Sequence, residues 1–160
     1  MPVGFDIPKP IDEQTITGNL AANAAGMALP AGTIAPVSVS VDLAAESTSR
    51  RIPIGRVLLK SFRFDVTSTA EPAGDADEFS FVRSARVFFE CAAANCTLPR
   101  VEVASATNPG AVRSMNFTVS SINIKPYIDQ GVRVTIELDA IPPPDDTSFN
   151  GAIVLRVEPF

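Results

Sequence analysis

The chain has no histidine and no tryptophan, and only one tyrosine and two cysteines in 160 residues. Each shortage excludes something. Without histidine there is no Ser-His-Asp triad, no Cys–His pair and no imidazole metal ligand. Without tryptophan, and with a single tyrosine, platforms for stacking on sugar rings or bases are scarce. Positive charge is also short. Lys and Arg number 13 against 18 Asp and Glu, a formal charge of −5, and no basic cluster occurs, so nucleic acid is not an expected partner. No run of 18 apolar residues is present, so no helical transmembrane segment is expected. The N-terminus lacks the basic step and apolar core of an export signal. Met1 followed by Pro2, Gly4, Pro8 and Pro10 is compatible with a start placed after a removed one.

What is present points to a β protein. The 16 Val, 12 Ile and 11 Thr have side chains branched at Cβ, which suit a pleated surface better than a helix. Period-two alternation starts after Pro36. Val37, Val39, Val41 and Leu43 alternate with polar residues, and Phe62, Phe64 and Val66 do the same. The longest run is Phe79 to Cys91, with Phe79, Phe81, Ala85, Val87, Phe89 and Cys91 on one face. Arg83 falls on that face too, so a bulge there is expected to turn its charge outward. Leu98 to Ala104, Met115 to Val119, Val132 to Leu138 and Ile153 to Val157 complete seven strands. Lys125 to Gly131 reads as one helical turn closed by glycine, a crossover between sheets. The expected fold is an all-β, seven-stranded antiparallel sandwich of immunoglobulin-like type, with a closed barrel as the alternative. Residues 1–34, broken by Pro and Gly, read as an arm or tether, and 35–160 as the sandwich. Phe64, Val87, Phe89, Val103, Phe117, Val134, Ile136 and Leu155 are the expected core.

Cys91 and Cys96 are spaced C-x4-C at the end of the longest strand. Two cysteines facing each other across a hairpin end can meet disulfide geometry, which implies an oxidising compartment. The alternative is two reduced thiols that happen to be near. A redox pair fits less well, because it wants C-x-x-C at a helix start.

The acidic loop holds Glu71, Asp75, Asp77 and Glu78, four carboxylates in eight residues. Convergent carboxylates with backbone carbonyls can bind Ca²⁺, the one cofactor considered, although the spacing is not that of an EF-hand. The plainer reading is a solvated loop. Asp145 and Asp146 follow Pro142-Pro143-Pro144 in a second acidic turn; a fold that placed this turn beside the first would make a shared cation site. Arg50-Arg51 reads as an exposed loop. The sequons Asn95-Cys96-Thr97 and Asn116-Phe117-Thr118 read as chance matches.

Four stretches carry a family likeness: Ile11-Asp12-Glu13-Gln14-Thr15-Ile16-Thr17-Gly18; Thr69-Ala70-Glu71-Pro72-Ala73-Gly74-Asp75 ahead of Phe79-Ser80-Phe81; Leu98-Pro99-Arg100; and Pro144-Asp145-Asp146. Together they resemble the mature portions of predicted surface lipoproteins from gliding, predatory Gram-negative bacteria. In such proteins a lipid-modified Cys stands at the mature N-terminus. This chain has none there, so the resemblance implies a lipid anchor upstream of Met1. It brings no catalytic motif.

The function expected is therefore non-catalytic: an extracytoplasmic domain at a bacterial envelope or surface that binds a protein or surface partner. The alternatives are a Ca²⁺-dependent adhesion or carbohydrate-recognition module, and a hydrolase using paired carboxylates. The last is disfavoured by the shortage of aromatic platforms.

Overall fold

The computed structural model describes residues 3–67 and 77–160. Nine strands lie among them: β1 (Phe5–Ile16), β2 (Val37–Val39), β3 (Ile54–Val66), β4 (Val82–Cys91), β5 (Val101–Thr107), β6 (Ser114–Asn116), β7 (Thr118–Val119), β8 (Val132–Ala140) and β9 (Thr147–Pro159). Three short helices, α1 (Leu20–Ala25), α2 (Leu43–Arg50) and α3 (Lys125–Gln130), sit in the connections. Sheet A has the order β1-β9-β3-β6 and sheet B the order β2-β8-β4-β5-β7, with every pair antiparallel.

The two sheets stay separate, so the barrel alternative is set aside. The immunoglobulin-like order is corrected as well. The first strand lies beside the last in one sheet, and β2 beside β8 in the other. That is the winding of a jelly roll.

Three strand expectations change for identifiable reasons. Residues 5–16, placed in the arm, form β1 at the edge of sheet A and bury Phe5, Ile7, Ile11 and Ile16. Pro8 and Pro10 had suggested a broken segment. They lie two residues apart, so the donors they lack fall on one side of the strand, the side that an edge leaves unpaired. The expected strand 37–43 stops at Val39. Asp42 instead caps α2, its carboxylate accepting from the amide of Ala45 at 2.9 Å. The expected strand 115–119 divides at Phe117 into β6 of sheet A and β7 of sheet B. The chain therefore changes sheet there, and α3 connects two strands of sheet B rather than bridging the sheets.

The bulge and the core are as expected, and the start of the longest strand is corrected. The ladder between β4 and β8 slips between Val82 and Ser84, leaving Arg83 on the surface. Phe79–Phe81 is a 3₁₀ turn rather than the start of a strand, yet both rings are buried. All eight expected core residues are buried. The centre is aromatic: Phe64 packs against Phe62, Phe117 and Phe149 with ring centroids 5.3, 5.6 and 4.9 Å away. These tilted and edge-on contacts suit the quadrupoles of the rings. Gly151 lies under this cluster. A Cβ there would stand 2.8 Å from the Phe64 ring and 3.1 Å from Ile11, so the close approach requires glycine.

Candidate functional site

One end of the sandwich gathers the β1–β2 connection, the segment entering β4, the β5–β6 turn and the β8–β9 loop. Backbone hydrogen bonds tie them together. Asn19 N–H donates to Pro143 O at 2.9 Å, Leu29 N–H to Ala140 O at 2.8 Å and Ile141 N–H to Phe81 O at 3.1 Å. Side chains add to this. Asn23 Nδ2 donates to Pro142 O at 2.9 Å, and Asp146 Oδ1 accepts from Gly18 N–H at 2.8 Å. At Gly18 the two loops touch backbone to backbone. A Cβ would fall 2.0 Å from the carbonyl carbon of Asp145. The prolines have no N–H to donate, and the carbonyls of Pro142 and Pro143 accept from the neighbouring loop.

Between these loops lies a cavity of ≈ 260 Å³, lined among others by Asn23, Asp77, Glu78, Pro143, Asp145 and Thr147. The fold thus brings Asp145 of the second acidic turn to the same cavity as Asp77 and Glu78 of the first. Glu71 and Asp75 lie outside the described residues. Asp77 is buried at 8% exposure, and its carbonyl accepts from Arg113 Nη1 at 3.2 Å. Glu78 accepts from Ser80 Oγ at 3.1 Å, and Thr147 Oγ1 donates to Asp145 O at 3.4 Å. Among the described residues, no group of three or more His, Cys, Asp or Glu could hold a metal ion. The lining combines the acidic Asp77, Glu78 and Asp145 and the hydroxyl residues Ser80 and Thr147 with the apolar Phe81 and Ile141. It suits cationic or hydrogen-bond-donating groups.

At the opposite end, Cys91 and Cys96 form a disulfide with a Cα–Cα distance of 6.1 Å. It closes the loop after β4, and Tyr127 O–H of α3 donates to Pro99 O at 2.5 Å beside it. A wider hollow of ≈ 510 Å³ lies between this loop and α3. Its lining cation, Lys125, is paired with its lining anion, Asp129, at 2.7 Å. Asn95 stands exposed in this loop, and Asn116 is exposed on β6. Arg50 and Arg51 are exposed as expected but end a helix, and the Arg50 guanidinium lies 4.2 Å from the centroid of the Phe5 ring.

Two carboxyls with lowered pKa lie on the outer faces of the sheets, away from the cavity. Asp6 is held below the usual carboxylate range by hydrogen bonds from Lys60 and Arg156, and Glu102 by one from Arg86. Sequence reasoning did not find Asn23, Ser80 or Thr147 at the cavity. Asn23 was read as part of an arm, and the other two are ordinary polar residues until the loops meet.

No protein-family model matches the chain, and no curated protein matches it. Among solved structures, a chain of a cryo-EM structure of mud crab tombus-like virus is similar at 12% identity and a TM-score of 0.26, covering 100% of this chain and 92% of that one. The low score leaves the strand order itself as the description of this fold.

Proposed function

We propose that the chain is a non-catalytic binding domain that works outside the cytoplasm, at a bacterial envelope or surface, and engages a macromolecular partner through its acidic loop end. The observation that carries this reading is the convergence of two acidic turns on one cavity, held by hydrogen-bonded loops on a rigid sandwich. Binding sites are commonly built on loops positioned in this way. The Cys91–Cys96 disulfide supports the compartment, since such bonds persist where the medium is oxidising. The absence of helical spans among the described residues is compatible with it. A lipid anchor upstream of Met1 belongs to the same reading through the resemblance to surface lipoproteins. The test is photo-crosslinking in the native host, with the reactive group placed at the cavity rim.

A second reading is a Ca²⁺-dependent adhesion or carbohydrate-recognition module: Asp145, Asp77 and Glu78 line one cavity, but by themselves they do not form a group that could hold a metal ion. Here Glu71 or Asp75 would have to supply further oxygen ligands. Thermal melting in millimolar Ca²⁺ against equal Mg²⁺ separates the readings. A Ca²⁺-specific rise, abolished by Asp77→Ala with Asp145→Ala, supports the second reading. Equal behaviour in the two ions removes it.

A further inference from the structure

Helix α1 is fastened to the loop end without contributing to the core. None of its residues is buried. Its attachments are polar. Asn19 Oδ1 accepts from Ala22 N–H at 2.9 Å, Asn19 N–H donates to Pro143 O, and Asn23 Nδ2 donates to Pro142 O. Past the helix, Leu29 N–H donates to Ala140 O. The large apolar side chains are left outside: Leu20 is 68% exposed and Met27 59%. Val112 of the β5–β6 turn, at the same end of the sandwich, is 38% exposed. No charged residue occurs from Gln14 to Val41, so this tip is uncharged as well as apolar. Exposed apolar side chains gathered within a polar rim mark interaction surfaces.

The surrounding charge identifies what would cover the tip. On the sheet faces the carboxylates are matched within the chain. Asp6 pairs with Lys60 and Arg156, Glu90 with Arg100 and Arg133, Glu102 with Arg86, and Glu158 with Arg56. At the loop end they are not. Among the described residues, no cation forms an ion pair with Glu78, Asp145 or Asp146. Arg83 and Arg113 are the cations nearest in the fold, and Arg113 donates to Asp77 O. The unmatched carboxylates border the apolar tip directly, because Gly18, two residues before Leu20, touches the backbone of Asp145 and donates to Asp146. An anionic lipid surface would be repelled by this rim. A protein surface carrying Lys and Arg around an apolar depression would be attracted, and its cations would find carboxylates with no rival inside the chain.

We infer that Leu20 and Met27 are the apolar centre of the contact surface at this end, and that they seat in an apolar depression of a partner protein edged by Lys and Arg. The inference rests on the reading of the loop end as the partner surface and adds the chemistry of the partner.

The test places an apolar diazirine side chain at Leu20, Met27 or Glu78 of the full chain in the native host, and sequences the crosslinked peptides to locate the contact on the partner. All three positions should give the same adduct, and the Leu20 and Met27 contacts should map to apolar residues flanked by Lys or Arg. With the partner so identified and purified, Leu20→Ser should bind it roughly 10- to 100-fold more weakly than the parent, the loss expected for one buried leucine. Added salt should weaken binding further, since the rim pairs are screened. Thermal melting confirms that the variant is folded; if it is not, Met27→Ser is read in its place. An adduct at Glu78 with none at Leu20 or Met27 overturns the inference and leaves the binding reading standing, whereas no adduct at any of the three overturns both. A mapped contact without basic residues, or parent-like affinity in the serine variant, also overturns it. Flotation with vesicles of phosphatidylglycerol and phosphatidylcholine covers the remaining occupant. The parent should not float, and flotation lost in Leu20→Ser would make the tip a lipid contact and contradict the inference.

Discussion

Replacing Ile11 with alanine asks whether the first strand is structural. Ile11 is 2% exposed, lies opposite Gly151 of β9, and stands over the Phe64 end of the aromatic centre. The glycine opposite it has no side chain to move into the space. The vacancy would be bounded by rings already in edge-on contact, so relaxation should be small. Truncating a buried isoleucine in such a site costs about 2–5 kcal/mol, from lost transfer energy plus the cavity left behind. For a domain of this size that corresponds to a fall in melting temperature of roughly 4–20 °C. Equilibrium urea unfolding followed by far-UV circular dichroism measures the change at constant slope. If residues 1–34 were a tether, the same substitution would change stability by about 0.5 kcal/mol or less, as surface changes do. A result in that range refutes the placement of β1. By the same reasoning a chain beginning near Ala35 should not fold, whereas residues 1–34 read as a tether would leave it folded. Loss of Phe5, Ile7, Ile11 and Ile16 removes about 6–12 kcal/mol of apolar burial, comparable to the whole stability of a typical domain.

Gly18→Ala should destabilise the acidic loop end, because its Cβ would overlap the backbone of Asp145; proteolysis should then begin in the loops on either side. Denaturing alkylation with intact-mass analysis should find no free thiol, and two alkylated cysteines in unreduced protein would contradict the Cys91–Cys96 bond. Asp6 has its pKa lowered in the folded chain, so its contribution is present above the unfolded value of about 3.8 and is lost as pH falls through the folded one. Asp6→Asn should therefore lower the melting temperature modestly at pH 7, change little once the pH is below the folded pKa, and so flatten the acid limb. A parent-like acid limb would count against the Lys60 and Arg156 pairing.

The sequence made the strands legible wherever one face is dry and the other wet. Val132 to Leu138 alternates because its inner residues meet the opposite sheet, and Ala85, Val87 and Phe89 of β4 turn inward for the same reason. The pattern misled where a local choice depended on distant partners. Leu43 continues the period set by Val37 and Val39, but Asp42 starts a helix. Met115, Phe117 and Val119 alternate as one strand would. The chain nevertheless crosses between sheets at Phe117, whose amide donates to Phe62 O at 3.0 Å. Phe88 is hidden for another reason. In Val87-Phe88-Phe89 the alternation is lost, and the arginine that covers the middle ring comes from the segment entering β5. At the candidate site the acidic residues were visible and their meeting was not. It depends on hydrogen bonds between segments more than 100 residues apart, such as Asn23 to Pro142.

The central claim is that the acidic loop end is the surface through which this domain meets its partner. Site-specific photo-crosslinking in the native host addresses it most directly, with the reactive residue replacing Glu78 or Asp145 at the rim and, in a control, Lys125 at the far end. Glu78 and Asp145 should each yield the same discrete adduct, absent from the Lys125 control, in a fraction outside the cytoplasm. Adducts that form equally at both ends, that appear at Lys125 alone, or that form at neither, would contradict it.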